Sequence, residues 1–329
     1  MFSLSEDYSV RWFNDDDVEA YIKGLNKALY DEYDEAIYNW KWRKNPNSLG
    51  FTTIAVVEHK TDGPVAFNSF LPIEIRRGKE VFKALQGCDG FVDENHRRKG
   101  LFQKTLIFLA EEEPKLDAEF LIGFNLVEAA GAAKKAGSEI AYDMNKCFLK
   151  PSQIDKTGSP RIVLEPADVD TIHRLYMAWA TKTDLLTLNR SKEYLRWRFH
   201  EHPFKLVEPY VVYEDETRIG YLVTDKVIEG EKTTLTVNDY NPILMDRHLG
   251  DVVEILAELN KDITIIEMDT MQGTKHQRVA VETGFEVTPW YKVIMMALRG
   301  TEQRGGAVFR GKVELSRIQN WHLAESDIY

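Results

Sequence analysis

The chain has 329 residues, 43% hydrophobic and 29% charged, with a formal net charge of −11. That length exceeds the usual reach of one core and sets an expectation of two domains, each able to fold without metal or disulfide. The acidic balance argues against nucleic acid or an anionic membrane as the main partner. The lone cysteines, Cys88 and Cys147, have no metal-ligand spacing and fit a reduced, cytoplasmic compartment.

Met1 to Asp7 has no basic n-region, and no apolar run reaches the roughly 18 residues of a membrane span. Acidic clusters follow at Asn14-Asp15-Asp16-Asp17 and Asp31-Glu32-Tyr33-Asp34-Glu35, where they could attract a cationic amine or simply solvate helix surfaces. The run Trp40-Lys41-Trp42-Arg43-Lys44-Asn45-Pro46 precedes β-rich segments at Thr52 to Val57 and Val65 to Phe70, which read as a hairpin. Its aromatics suit helix-end core packing better than cation or sugar stacking.

Gly90 to Phe102 reads as a strand end, a basic glycine turn and a helix start. The first N–H groups of a helix have no intrahelical partners and lie at the positive end of its dipole, so they hold anions. Arg97, Arg98 and Lys99 add charge, and Gly100 lets the backbone approach a phosphate. Leu101, Phe102, Thr105, Leu106 and Leu109 fall at helical spacing beyond it.

Val92, Arg97 and Gly100 stand in the register of Val-x-Pro-x-Tyr-Arg-x-x-Gly-x-Gly/Ala, with His96 at the Tyr position, and so resemble motif A of the GNAT acyltransferases. Glu94 replaces the family's Pro, and Phe102 replaces Gly or Ala, where it would crowd a pyrophosphate. Asn125, one residue out of register, and Gly137 resemble the ends of motif B. The family's Tyr general acid, four residues before that Gly, is Ala133 here.

The second half repeats the first. Trp197-Arg198-Phe199 to Pro203 matches Trp40 to Pro46, so that Trp197 and Phe199 share the core reading of Trp40 and Trp42. Ala280 to Gly284 matches Ala133 to Gly137, and Asp239 matches Asp89. Arg247 to Val252 then aligns with the basic turn, where His248 and Leu249 replace Arg98 and Lys99 and Asp251 brings a carboxylate. One working cofactor loop is expected, in the first half. The polar Lys150 to Pro160 reads as a joint. The expected division is 1–150, an acyl-CoA-binding GNAT-like domain; 151–160, a linker; 161–298, a degenerate GNAT-like domain; and 299–329, a tail whose glycine-rich start is mobile and whose aromatic end docks.

The resemblance implies an α/β (α+β) class, with two GNAT-like domains in tandem, each a mixed, mostly antiparallel sheet flanked by helices. It implies acyl, usually acetyl, transfer from acetyl-CoA to a primary amine of a small molecule or peptide, by direct attack in a ternary complex. Phe91 and Val92 would pair with the pantetheine arm, Arg97, Arg98, Lys99, Gly100, Leu101 and Phe102 would hold the pyrophosphate, and Asn125 completes the cofactor set. Asp89, then Glu94, are the candidate bases, with the carboxylate of Tyr329 a further one if the tail enters the cleft. Tyr142 is the candidate acid. His96, His200, His202, His248 and His276 share no helical spacing, so no metal site is expected. A homodimer is left open. A FemABX-like aminoacyl transferase and a non-catalytic GNAT-fold binding protein are the competing readings.

Overall fold

The computed structural model describes residues 6–30, 32–154 and 162–329. In the first half, β1 (Tyr8–Trp12) leads into α1 (Val18–Ala28) and the single turn α2 (Glu35–Tyr38), which runs on into a π-helical turn. Asp34 accepts from the Ile37 N–H and caps α2. The chain continues through β2 (Ile54–His59), β3 (Gly63–Arg77), β4 (Glu80–Val92), α3 (Leu101–Glu111), β5 (Phe120–Asn125), α4 (Val127–Lys135) and β6 (Glu139–Leu149).

The second half repeats this order. It comprises β7 (Ile162–Pro166), α5 (Val169–Ala180), a short β8 (Leu186–Leu188), α6 (Lys192–Phe199), β9 (Val207–Glu214), β10 (Thr217–Glu229) and β11 (Lys232–Tyr240). It closes with α7 (Pro242–Leu259), β12 (Ile265–Met271), α8 (Lys275–Glu282) and β13 (Glu286–Ala297). The joint expected at 151–160 lies mostly outside the described residues.

One mixed, mostly antiparallel sheet carries both halves, in the order β1-β2-β3-β4-β5-β13-β6-β12-β11-β10-β9-β7, with β8 paired to the end of β3. β13 of the second half pairs with β5 and β6 of the first, and β6 pairs in turn with β12. Each repeat unit therefore completes its sheet with a strand of the other. The parallel contacts are β4 with β5 and β11 with β12, at corresponding places in the two units.

Helices α3 and α4 cover the first unit's outer face, with Leu106, Leu109, Ala130 and Ala133 buried against Phe70, Leu121 and Ile294. Helices α7 and α8 do the same for the second through Leu249, Val253 and Ala280. The opposite face is shared: α1, α2, α5 and α6 bury Tyr21, Tyr38, Trp40, Tyr176 and Trp197 in one cluster, and Trp42 and Phe199 are buried with them. Gly137 and Gly284, at φ 102° and 100°, end α4 and α8 alike, as the repeat requires.

Two expectations change. Arg247 to Val252 is not a turn but the interior of α7, which starts at Pro242 directly after β11, capped by the Asn241 side chain on the Ile243 N–H. The second unit thus has a single residue where the first has eight, and its helix start is already capped. The tail is also more ordered than its glycines suggested. Gly305 and Gly306 turn a hairpin between β14 (Glu302–Arg304) and β15 (Ala307–Arg310), joined by β16 (Val313–Glu314). Arg310 ties it to Glu80 and Glu119. Beyond it, Trp321 bridges to Leu186, and the buried Asp327 binds Arg190, which also pairs with Asp239.

Candidate active site

Strands β4 and β5 run parallel for only three residue pairs, ending at Gly87 opposite Gly123. Beyond Gly87, β4 keeps among the described residues a strand partner only on its β3 side, so its other edge is open there. A cavity of about 370 Å³ occupies this splay, bounded by Gly87 to Gly90, Phe102, Phe124, Asn125 and, from the inserted strand β13, Trp290 and Tyr291. At the equivalent place in the second unit, residues 325–327 of the tail pack against β11.

The basic turn lies at the end of this splay. A 3-10 turn over Glu94 to His96 follows β4, and Arg98 and Gly100 both take left-handed backbone, at φ 63° and 74°. Gly100 begins α3, and no side chain among the described residues caps it, so the first N–H groups of the helix face outward without a side-chain partner there. Arg97, Arg98 and Lys99 are exposed around it, whereas the Leu101 side chain is buried. Arg97 Nε donates to the Val92 carbonyl at 3.1 Å, and Lys99 Nζ donates to the Tyr8 hydroxyl at 2.8 Å. Phe102 does not sit over the turn. Its ring leans on Gly90, where an added Cβ would meet Phe102 Cε2 at 3.1 Å, and it forms part of the cavity wall.

Asp89 lies in a β-bulge, because Asn68 of β3 faces both Asp89 and Gly90. The bulge puts Asp89 at φ 43° and turns its carboxylate into the shared face, fully buried. There it accepts from Lys41 Nζ at 2.7 Å, the Tyr30 hydroxyl at 2.7 Å and the Tyr21 hydroxyl at 3.3 Å. Burial alone would lower the Lys41 ammonium, but Asp89 outweighs it and the pKa is raised, so Lys41 stays charged. Burial, reinforced by the Asp89 charge, raises the Tyr30 phenol, which stays protonated as the donor.

Lys41 and Tyr30 are also walls of a second cavity of about 420 Å³, lined further by Tyr33, Trp40, Arg198, His202, Lys205 and Glu325. Tyr329 borders both cavities, its ring stacked on Trp197 and its hydroxyl 2.8 Å from that of Tyr194. The two spaces therefore meet at the Asp89–Lys41 pair and Tyr329. Burial pushes the Cys88 thiol in the first cavity up to about 12, so it holds no thiolate near neutral pH.

Other expected residues fall elsewhere. Glu94 is exposed and paired with Lys27 at 2.8 Å. Tyr142 faces the shared core opposite Val293, with its hydroxyl buried and without a partner among the described residues, and does not line the splay cavity. Phe91 stacks on Phe67 and fills the space left by Gly24 of α1. Asn125 does reach the cavity, beside Gly123, whose Cβ would meet Asn125 Oδ1 at 2.7 Å. Sequence reasoning missed Tyr30, Lys41 and Tyr291. Tyr291 borders the first unit's cavity because strand exchange brings β13 from the second half, whereas the sequence points to Tyr142 of the first.

Although no metal site was expected, His59, Asp62 and His96 come together with donor atoms within 4.8 Å of one another. One Asp62 oxygen lies 3.0 Å from His59 Nδ1 and 3.1 Å from His96 Nε2, and Tyr8 takes the other His96 nitrogen at 2.9 Å. These contacts close the cluster through its own hydrogen bonds and link it to Lys99.

No family model and no curated protein matches this sequence. Solved structures do match its fold. A GCN5-related N-acetyltransferase from Anabaena variabilis has a TM-score of 0.65 at 14% identity, over 88% of this chain and 72% of its own. A probable N-acyltransferase from Enterococcus faecalis V583 gives 0.64 at 10% identity, over 88% and 73%. The N-myristoyltransferase of Saccharomyces cerevisiae, solved with bound myristoyl-CoA, gives 0.60 at 13% identity, over 89% and 81%. The chain has the GNAT fold across both repeat units. No helix among the described residues is long and apolar enough to cross a membrane.

Proposed function

We propose that the protein transfers an acyl group from acyl-CoA, with acetyl-CoA the simplest donor, to a primary amine, using only its first unit's cleft. The observation that carries this reading is the pair of adjoining cavities. One is at the β4–β5 splay beside an uncapped, basic helix start, and the other is across the Asp89–Lys41 pair.

In this reading the pyrophosphate lies on the N–H groups of Leu101 and Phe102 and beside Arg97, Arg98 and Lys99. The pantetheine arm runs along the open edge of β4 from Phe91 and Val92 back to Gly87, as an added strand would, with Asn125 opposite. Backbone N–H groups of the Asp89–Gly90 bulge polarise the thioester carbonyl and receive the oxyanion.

The amine enters from the second cavity as the free base and attacks the carbonyl carbon. Its surplus proton passes to the Tyr30 oxygen while the Tyr30 proton passes to Asp89, so the buried carboxylate acts as base through the phenol. Collapse breaks the C–S bond, and the leaving sulfur takes a hydrogen bond from Tyr291. With Cys88 held as a thiol, direct attack is favoured over a covalent enzyme intermediate. Calorimetric titration with acetyl-CoA tests the reading: binding that weakens in Gly100→Glu is expected, and absence of binding to the native protein overturns it.

A further inference from the structure

The turn that joins β2 to β3 and the turn that leads into α3 meet around three donor atoms. The hairpin register pairs His59 with Gly63, so Lys60, Thr61 and Asp62 form the turn, and Gly63 closes it at φ 72°. Tyr8 of β1 lies directly opposite His59. The Asp93 N–H donates to the Val65 carbonyl at 2.8 Å, which fixes the 3-10 turn carrying His96 against the start of β3.

One oxygen of Asp62 consequently faces both imidazoles, 3.0 Å from His59 Nδ1 and 3.1 Å from His96 Nε2. Tetrahedral bonds of about 2.0–2.2 Å set neighbouring donors about 3.3 Å apart, so small side-chain movements close all three on one ion. The contacts outside the cluster aim these atoms. The other Asp62 oxygen accepts from the Thr61 hydroxyl at 2.8 Å, His96 Nδ1 meets the Tyr8 hydroxyl at 2.9 Å, and the Tyr8 ring packs on that of His59 at 4.8 Å between centres. Lys99 is engaged by the Tyr8 oxygen, and among the described residues no lysine or arginine pairs with Asp62. His96 is 7% exposed whereas Asp62 lies at the surface, so an ion has an entry path and its fourth position opens to water.

We propose that His59 Nδ1, His96 Nε2 and the Asp62 carboxylate bind one divalent cation of the zinc class. Two imidazoles, a carboxylate and a water make a set that zinc accepts, whereas magnesium and calcium prefer oxygen donors alone. Without the ion, ring N–H groups fill the shared point as donors to Asp62. With it, each ring presents a lone pair there, and His96 keeps its remaining proton on Nδ1 as the donor to Tyr8. The convergence of two rings is what separates this cluster from the other histidines. His248 stands 4.0 Å from Glu214 and from Asp251, and His276 3.4 Å from Asp246, each a single ring beside carboxylates. None of the three ligands lines either cavity, so the ion takes no part in the transfer chemistry. It braces the basic turn from outside, because His96 immediately precedes Arg97 and is tied through the ion to the β2–β3 turn.

Zinc chloride is titrated calorimetrically into the untagged, chelator-treated full chain, as native protein and as Asp62→Ala, His96→Gln, Tyr8→Phe and the exposed control His200→Gln. One equivalent is expected to bind the native protein and the control alike. Affinity should fall by about 100-fold or more in Asp62→Ala and His96→Gln, and by about tenfold in Tyr8→Phe, which loses only an outer contact. Should His96→Gln fail to fold, Asp62→Ala, on a surface turn, decides. Hydrogen exchange of the amides from 94 to 101 should slow on adding zinc to the native protein and stay unchanged in Asp62→Ala. No binding to the native protein, or equal binding in Asp62→Ala, overturns the site, and exchange indifferent to bound zinc overturns the brace. Neither measurement involves CoA, so failure of the acyl-transfer reading leaves this proposal standing, and the reverse.

Discussion

Trp40 and Trp197 stack face to face, 4.8 Å between ring centres and 14° from parallel, and each indole N–H donates to the other's backbone carbonyl at 2.7 Å. They are repeat partners, 157 residues apart, so this reciprocal pair marks the local two-fold relation between the units. Both N–H groups are buried and satisfied by each other's backbone, which ties the end of α6 to the turn that follows α2.

Replacing either Trp by Ala is expected to cost about 3–5 kcal/mol, from lost volume and an orphaned carbonyl. The double variant should cost less than the sum, with a coupling of about 0.5–3 kcal/mol. Denaturant unfolding measures all three. Strict additivity would show that the two units do not stabilise each other here.

The repeat, the hairpins, the strand–turn–helix at Gly90 to Phe102 and the core role of Trp40 were legible because they rest on local spacing. Strand exchange was not. The alternation in Glu286 to Ala297 marks a strand but carries nothing about which strands it joins, so Tyr291 was assigned to no cleft. Nor does the alignment that carries Asp89 onto Asp239 reveal that seven residues are absent before α7. It carried Arg247 into a helix interior whose true start, Asn241-Pro242, is a readable cap signal. Lys41 carries no signal of its role in the sequence, because the partner that holds it buried, Asp89, lies 48 residues away.

Gly100 at φ 74° combines a backbone that glycine favours with the helix start that would hold phosphate. Gly100→Glu should weaken acetyl-CoA binding more than tenfold, through repulsion and a blocked approach. His248→Arg, which returns a cation to the position in α7 aligned with Arg98 at a half-buried site, should create no CoA site there. A second binding event in that variant would refute the single-cleft reading.

Gly24 has no room for a Cβ: one built there would lie 2.0 Å from Phe91 Cζ. Gly24→Ala should therefore destabilise by about 1–3 kcal/mol, even though alanine is the better helix former. Pairing it with Phe91→Leu should restore part of the loss, read as recovery of the thermal midpoint. A stabilised Gly24→Ala would show that Phe91 is free to move away.

Tyr30→Phe removes the phenol between the second cavity and Asp89 while keeping the Lys41–Asp89 ion pair. If the phenol relays the proton, kcat should fall by about 100-fold or more with CoA affinity unchanged. Asp89→Asn should be worse on both counts, since it leaves Lys41 buried without a counter-ion, at about 3–5 kcal/mol of stability. Unaltered turnover in Tyr30→Phe would remove the relay.

Acid should weaken the fold through its neutral histidines. Burial, helped by the charge of Arg190, holds His322 well below its ordinary 6.5, and His202 is pushed down to about 4. A histidine depressed in this way binds fewer protons folded than unfolded, so the stability it contributes is complete above about pH 6.5 and is lost as pH falls toward its folded value. Asp327 has the opposite sign. Burial pushes its carboxyl up to about 6 despite Arg190, so its contribution is greatest below the unfolded carboxyl range and lost as pH rises toward 6. The two effects overlap between pH 4 and 6 and partly cancel in the native protein, which is why variants are needed to separate them. His322→Gln should reduce the fall in thermal midpoint between pH 7 and pH 5 more than His202→Asn does, because His322 is fully enclosed and water screens His202. Parallel midpoint curves for all three proteins would mean that His322 takes up a proton inside the fold, and that the tail it anchors to the Tyr240 carbonyl opens to admit it.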